Sequence, residues 1–362
     1  MKAITLKNKN IPGKSGPFII AEAGVNYYDI AEKEKISALE AAKLMVREAA
    51  SAGADAIKFQ IYKAEKLASK YSTAYWDITK EKTTSQFELF KKFDKLTDKD
   101  YSEIAKCAKK NNIIFMATPF DEAAVDIVDR LSPVFKVASA DITNFPLLKK
   151  IAIKSKPVFL SVGASTIREI KGAVKIITEE KNNQIVLLHC VLNYPTEYSR
   201  AGLFRIKILK KLFPEYIIGY SDHTMPDEKM LVLTSAYLFG AEVIEKHFTL
   251  DKSLIGNDHY HAMDPDDLKI FVDNIKFLRQ IIGNSNISEK GYLRNEVLAI
   301  RHARRSIVAA VAIKTGEKIS EDKILIKRPG TGISPEFLDQ IIGKKIKKDI
   351  KEDQILKWEY FS

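Results

Sequence analysis

The sequence predicts an α/β protein: a (β/α)8 TIM barrel followed by a small β-rich C-terminal domain. Three observations lead there. Eight short apolar, β-rich runs alternate with longer amphipathic stretches through the first three quarters of the 362 residues, the pattern of a parallel sheet covered by helices. No Gly-rich dinucleotide loop follows the first run, so a closed barrel is preferred to an open doubly wound sheet. From about Arg301 the chain changes to short strands with Gly turns. The expected organisation is a barrel over 1–283, a linker over 284–300 and a compact domain over 301–362.

The eight expected strands are Phe18–Ala21, Ala56–Phe59, Ile113–Ala117, Val134–Ala138, Val158–Val162, Ile185–His189, Tyr216–Tyr220 and Val243–Phe248. The stretch Ser37–Ser51 between the first two places Ala38, Ala41, Ala42, Met45, Ala49 and Ala52 on one stripe at helical spacing. Further helices are expected over Asp98–Lys110, Asp121–Leu131, Pro146–Lys154, Ile167–Ile177, Phe204–Phe213 and Pro226–Phe239. In the C-terminal part, the run Ser306–Ile313, the turn Lys314-Thr315-Gly316-Glu317 and the run Ile324–Lys327 make a small domain. That domain is expected to have little core of its own and to lean on a partner surface.

Composition narrows the class. Hydrophobic residues make up 46% and charged residues 29% of the chain, an ordinary globular balance. No apolar run approaches the ~20 residues of a membrane helix, and no signal-peptide pattern follows the lysine-rich start. A cytoplasmic protein with no membrane partner is expected. Two distant cysteines, Cys107 and Cys190, speak against a disulfide framework or a thiolate zinc site. The net charge of +11 comes from lysines interleaved with acids, a solvated surface. The run Lys344-Lys345-Ile346-Lys347-Lys348 has no nucleic-acid motif beside it, and no nucleic-acid partner is expected.

Barrel chemistry sits at the C-terminal ends of the strands, and those ends are dense in polar residues. Lys58 and Lys136 interrupt apolar strands, where an unpaired ammonium is costly. Together they suit a phosphate or carboxylate, the alternative being a salt bridge to Glu22, Asp141 or Glu245. His223 and His247 end consecutive strands at matching depth and can share a divalent ion with open positions for water and substrate. His259 and His261 are available as further ligands, although a polar loop holding them without metal is the expected reading.

Over nearly its whole length the chain resembles the sialic acid synthase family, which also makes legionaminic and pseudaminic acids. The resemblance is carried by Glu22-Ala23-Gly24-Val25-Asn26, Gly53 through Gln60, Thr118-Pro119-Phe120 and Lys136-Val137-Ala138-Ser139. It continues in His189-Cys190, Tyr194-Pro195, Gly219 through Thr224 and Ile244 through Leu250. The tail from Arg304 through Ile333 resembles the antifreeze-like (SAF) domain of that family. The resemblance implies a condensation of phosphoenolpyruvate with an amino-sugar aldehyde, with a divalent metal (Mn2+ or Mg2+) on His223 and His247. It implies phosphoenolpyruvate binding by Lys58, Thr118, Lys136, Ser139, Ser161 and Ser221, with Glu22 and the two lysines catalytic. Asp141, Tyr194, Asp258 and Arg328 would contact the sugar. It also implies a homodimer in which the C-terminal domain caps the partner's barrel.

Three positions depart from the family pattern: Tyr27 where a histidine is common, Asp141 where glutamate often stands, and Leu192 where asparagine often faces the sugar. The last two suggest a less polar substrate, such as a 2,4-diacetamido-6-deoxy hexose, while N-acetylmannosamine and a phosphorylated sugar stay open. Two other readings stay open at this level. One is a phosphoenolpyruvate-dependent aldol synthase of the seven- or eight-carbon keto-acid type. The other is a non-catalytic sugar-binding protein on the same fold, for which Tyr27 is the best argument.

Overall fold

The computed structural model describes residues 3–7, 9–13, 16–256, 258–283 and 294–362; Asn257 and the 284–293 part of the expected linker lie outside the described residues. The chain divides into two compact units, Met1–Ile282 and Gly283–Ser362.

An antiparallel hairpin of β1 (Ile4–Leu6) and β2 (Lys9–Ile11) opens the first unit. Eight parallel strands follow: β3 (Phe18–Gly24), β4 (Ala56–Ile61), β5 (Ile114–Pro119), β6 (Phe135–Val137), β7 (Val158–Ser161), β8 (Ile185–His189), β9 (Ile217–Asp222) and β10 (Val243–His247). They bond in the order β5-β4-β3-β10-β9-β8-β7-β6. The first and last therefore meet, with Val243 to His247 in register against Phe18 to Glu22. The result is a nearly closed barrel, lacking a ladder only between β5 and β6 among the described residues. All eight predicted runs fall on these strands. Several strands extend past the apolar run because the polar residues there stay in the ladder, Glu22 opposite Lys58 and Gln60 opposite Thr118.

Helices cover the outer face of the sheet. Ala38–Ala52 starts where Ser37 Oγ accepts the Glu40 amide at 3.2 Å, and it buries Ala41, Ala42, Met45, Val46 and Ala49. Thr97 and Thr166 open Asp98–Lys110 and Ile167–Glu179 with reciprocal capping boxes. The helix expected from Pro226 begins only at Leu231. The Asp227 carboxylate accepts the amides of Lys229, Leu231 and Val232 and holds the preceding residues in a turn. The hairpin, the helices Tyr27–Glu34 and Pro265–Ile282, and the 62–97 excursion with its short helices Ala64–Leu67 and Gln86–Lys92 go beyond the predicted elements.

Alternation along the strands creates two interior layers. Phe18, Ile20, Ala56, Ile114, Met116, Val134, Phe159, Val186, Leu188, Ile217 and Val243 form a core separate from the one under the helices. Ile4, Leu6 and Ile11 of the hairpin join that core and seal its end of the barrel. Two residues further along the same inward faces stand Glu22, Lys58, Thr118, Lys136, Ser161 and Glu245, with Ser221 four beyond Ile217, all lining one cavity. The intervening side chains point outward; Asp222 and Lys246 there form a buried ion pair.

In the second unit β11 (Ser306–Ala309) and β12 (Ile324–Lys327) pair antiparallel, and isolated bridges such as Ile313 with Ile350 extend the pairing. The predicted run to Ile313 stays a strand only to Ala309. The sequence led us to expect little core here. Instead Ile307, Ile313, Ile319, Ile333, Ile341 and Leu356 converge with others into a core of its own. Beyond the run Ser306–Ile313 these residues stand singly or in pairs among polar ones, so no periodicity announces them. No helix among the described residues is long and apolar enough to cross a membrane.

Candidate active site

At the C-terminal ends of the strands lies a cavity of about 620 Å³. It is lined by Glu22, Lys58, Thr118, Lys136, Ser139, Asp141, Ser161, Tyr194, Ser221, His223, His247 and Asp258, while the further candidates His259 and His261 stand outside its lining. Arg328 belongs to the second unit, where it is exposed.

The floor of the cavity is an alternating charge cluster. Lys58 Nζ lies 2.6 Å from Glu22 Oε2 and 3.8 Å from Glu245 Oε2, and it donates to Thr118 Oγ1 at 3.2 Å. Lys136 Nζ lies 3.5 Å from Glu245 Oε1, which also accepts from Ser221 Oγ at 2.9 Å. Salt bridges to Glu22 and Glu245 are thus present, and Asp141 takes no part in them. Burial works against the Lys58 ammonium, but the two carboxylates overcome it and raise its pKa. Lys136 has less compensation, so burial leaves its pKa below the ordinary lysine value. Burial likewise pushes the Glu22 carboxyl up in spite of Lys58. Against the same burial, Lys136 and Lys58 hold Glu245 down. Ser161 Oγ is buried in this layer without a hydrogen-bond partner, and Ser139 Oγ accepts the Gly163 amide at 2.9 Å.

Across the cavity stands a group of imidazoles. His223 Nδ1 donates to the Val191 carbonyl at 2.7 Å, which leaves Nε2 with its lone pair free for a ligand. Its ring centroid is 5.5 Å from that of His247, and the His261 ring is 4.9 Å from His247 on another side. His247 Nδ1 lies 3.6 Å from Asp258 Oδ2, and His261 Nε2 lies 4.0 Å from Asp258 Oδ1. His247, Asp258 and His261 bring ligand atoms within 4.8 Å of one another; His223 stands beside this trio without belonging to it. Burial lowers the His223 pKa to about 4 and carries His247 and His261 well below the usual histidine range. The rings are therefore neutral at pH 7, the form that binds metal. Burial, reinforced by Glu22, raises Asp258 to about 7.

These donors fit a divalent cation. His247 Nδ1 and both ring nitrogens of His261 are buried without a hydrogen-bond partner, which costs free energy unless something else engages them. The expectation that His259 and His261 would both serve a metal-free polar loop holds differently for each. His259 contacts Thr249 Oγ1 at 2.7 Å and Asp29 Oδ2 at 3.1 Å, one on each nitrogen, and pins the loop.

Above the charged floor the cavity wall turns apolar. Leu67, Tyr75, Trp76, Phe90 and Phe93 come from the 62–97 excursion and Leu192 from the loop after β8. Asp141 faces them, with Oδ1 accepting from Asn144 at 3.1 Å and Oδ2 free of partners. Tyr194 packs over His223 at 4.2 Å between ring centroids. Tyr27 is elsewhere: it opens the helix Tyr27–Glu34, fully buried against Tyr28 and Phe59.

With this geometry in hand, comparison with known proteins is decisive. The sequence matches the NeuB family over residues 45–287 and the SAF domain over residues 304–361. The chain belongs to the NeuB family of sialic acid synthases. The synthase is 37% identical over 344 residues to the N,N'-diacetyllegionaminic acid synthase of Campylobacter jejuni, covering 94% of this chain and 98% of that one. It is 42% identical over 349 residues to an uncharacterised protein of Methanocaldococcus jannaschii, covering 96% and 95%. Among solved structures it is similar to the N-acetylneuraminic acid synthetase of Leptospira borgpetersenii, with a TM-score of 0.69 and 34% identity over 82% of this chain and 95% of that one. The synthase carries two features that sequence reasoning did not single out, the unpartnered state of His261 and the aromatic wall; Glu245, named there as an alternative salt-bridge partner, lies near both lysines. Glu245 was legible, since it follows Val243 on the inward face. The wall was not, because its residues are scattered over an irregular excursion.

Proposed function

We propose that this synthase condenses phosphoenolpyruvate with the open-chain aldehyde of an N-acetylated amino sugar, giving a nine-carbon 2-keto acid and phosphate. Its acceptor is a 2,4-diacetamido-6-deoxy hexose in preference to N-acetylmannosamine. One observation carries the reading: a single cavity offers an anion seat at Lys58 and Lys136 and, facing it, a cation seat of neutral imidazoles and Asp258. The apolar wall supports the acceptor, because it suits acetamido methyls and a deoxygenated carbon better than extra hydroxyls.

In this reading Lys58, Lys136, Thr118, Ser139, Ser161 and Ser221 hold the phosphate and carboxylate of phosphoenolpyruvate. Asp141, Tyr194 and Arg328 orient the sugar, and Asp258 serves both the sugar and the cation. A divalent cation on the imidazoles supplies Lewis-acid polarisation of the aldehyde when bound. The C3 carbon of phosphoenolpyruvate forms the new bond to the aldehyde carbon. Positive charge then develops at C2, where Glu22 and Glu245 face it with negative charge. Water adds to C2, and the C2–O bond to phosphate breaks to leave the ketone. Of that water's two protons, one ends on the new hydroxyl and the other leaves on phosphate. Glu22, its carboxyl already pushed up by burial, carries the first. We place the reaction in the cytoplasm.

The test is phosphate release from phosphoenolpyruvate with Mn2+ and, in parallel, N-acetylmannosamine, its 6-phosphate and the 2,4-diacetamido-6-deoxy hexose. Release that needs both metal and the deoxy sugar is expected. No release with any of the three, from folded and metal-loaded protein, overturns the proposal.

A further inference from the structure

We propose that His261 is itself a ligand of the cation, completing with His247 and Asp258 a protein-built site that takes a first-row transition ion in preference to Mg2+. The proposal rests on the metal dependence put forward above and names the ligand set and ion class.

His259 and His261 share one loop, and both are fully buried. The chain has solved the burial of His259 with a partner on each nitrogen. It has not done so for His261, whose Nδ1 and Nε2 both lack one. Two residues apart, the same side chain meets opposite fates. A buried imidazole without partners is unfavourable, and the surroundings of His261 show what offsets it. Its ring packs against Tyr194 and Tyr260, with centroids at 5.6 and 5.1 Å, so its orientation is fixed. Its Nε2 faces Asp258, and its ligand atoms fall within the 4.8 Å span of the trio. Donors bound to one ion at about 2.0–2.2 Å lie at most about 4.4 Å apart, so side-chain shifts of a few tenths of an ångström let all three share one.

Placement also favours a ligand over a catalytic group. His261 does not line the cavity, whereas His247 and Asp258 do. A ligand behind the wall leaves the cavity-facing positions of an ion open to water and substrate, the arrangement of a catalytic rather than a structural metal site. His223, with a free Nε2 on the cavity side, remains available to the same ion. Mg2+ prefers an oxygen-rich octahedron with several waters. Two or three imidazoles with one carboxylate suit manganese, iron, cobalt or zinc instead.

Metal-stripped protein would be titrated with Co2+ while its visible d–d absorption and its thermal midpoint are followed. The comparison includes the wild type, His261→Ala, His261→Phe and His247→Ala. His261→Phe keeps an aromatic ring against Tyr194 and Tyr260 and removes only the lone pairs. Co2+ should bind the wild type with resolved bands and raise its midpoint, and excess Mg2+ should not displace it. His261→Phe should keep the metal-free midpoint at or above that of the wild type, His261→Ala should lower it through the cavity it leaves, and in both the Co2+ affinity should fall on the order of 100-fold. Wild-type affinity and band shape in folded His261→Phe, or ready displacement by Mg2+, would overturn the proposal. If His247→Ala also binds Co2+ unchanged, the metal reading of the site fails altogether, a different outcome from loss in His247→Ala alone.

Discussion

Lys136 is the least compensated charge in the site. Its ammonium has Glu245 at 3.5 Å, whereas Lys58 has two carboxylates and Thr118. Burial therefore lowers the Lys136 pKa below 10.5. In the proposed function the charged form binds the anionic substrate, and it is lost as pH rises through that lowered value. The pH profile of kcat/KM for phosphoenolpyruvate should consequently fall on its alkaline side below pH 10.5. Lys136→Arg should move that limb upward, because guanidinium keeps its proton. Lys136→Met should raise KM for phosphoenolpyruvate about 10- to 100-fold at neutral pH. An unchanged alkaline limb in Lys136→Arg would assign it to another group. Ser161 supplies a second test at this scale. Its buried hydroxyl has no hydrogen-bond partner, so Ser161→Ala should weaken phosphoenolpyruvate binding while leaving the thermal midpoint equal or higher. A fall in the midpoint would mean that the hydroxyl serves the fold. Polar residues interrupting apolar strands could be read from sequence, since water cannot reach them there. The unsatisfied state of His261 could not, because nothing in Asp258-His259-Tyr260-His261 distinguishes the ring that finds Thr249 and Asp29 from the one that finds neither.

Among elements, β9 shows how tightly the interior constrains the chain. A Cβ at Gly219 would meet Leu188 Cδ2 at 2.4 Å and the Val243 carbonyl oxygen at 2.6 Å, so neighbouring backbone as well as a side chain would have to move. Gly219→Ala should cost about 1–3 kcal/mol and lower the thermal midpoint. Because Ser221 follows on the same inward face, kcat should fall as well, and an unperturbed midpoint would mean that the barrel yields at this point. The same alternation explains why the fold was legible: each strand of a covered parallel barrel must be apolar on both faces, and that leaves a recognisable run. Elements without that requirement escaped. The hairpin of β1 and β2 buries only Ile4, Leu6 and Ile11 among lysines and polar residues. The 62–97 excursion has short helices and no repeating stripe.

For the whole molecule, the division into two units raises the question of what the second contributes. Its self-contained core means that it does not need another surface merely to fold. A contribution to catalysis is then the stronger reason for its presence, and Arg328, exposed at the end of β12, is the residue proposed to make it. The homodimer that the family resemblance implies would have Arg328 serve the partner's barrel, and mixing two inactive variants tests this directly. Arg328→Ala has an intact barrel and no arginine; His247→Ala has the arginine and a damaged barrel. If Arg328 acts across the dimer, a mixed dimer holds one site with both residues intact and one with neither. After dissociation and random reassociation of equal amounts, about a quarter of wild-type activity should return, since half the dimers are mixed and each has one working site. If Arg328 served its own barrel, every site would lack one residue and no activity would return. Sedimentation of the mixture would confirm that subunits had exchanged, so silence from an exchanged mixture would count against action in trans.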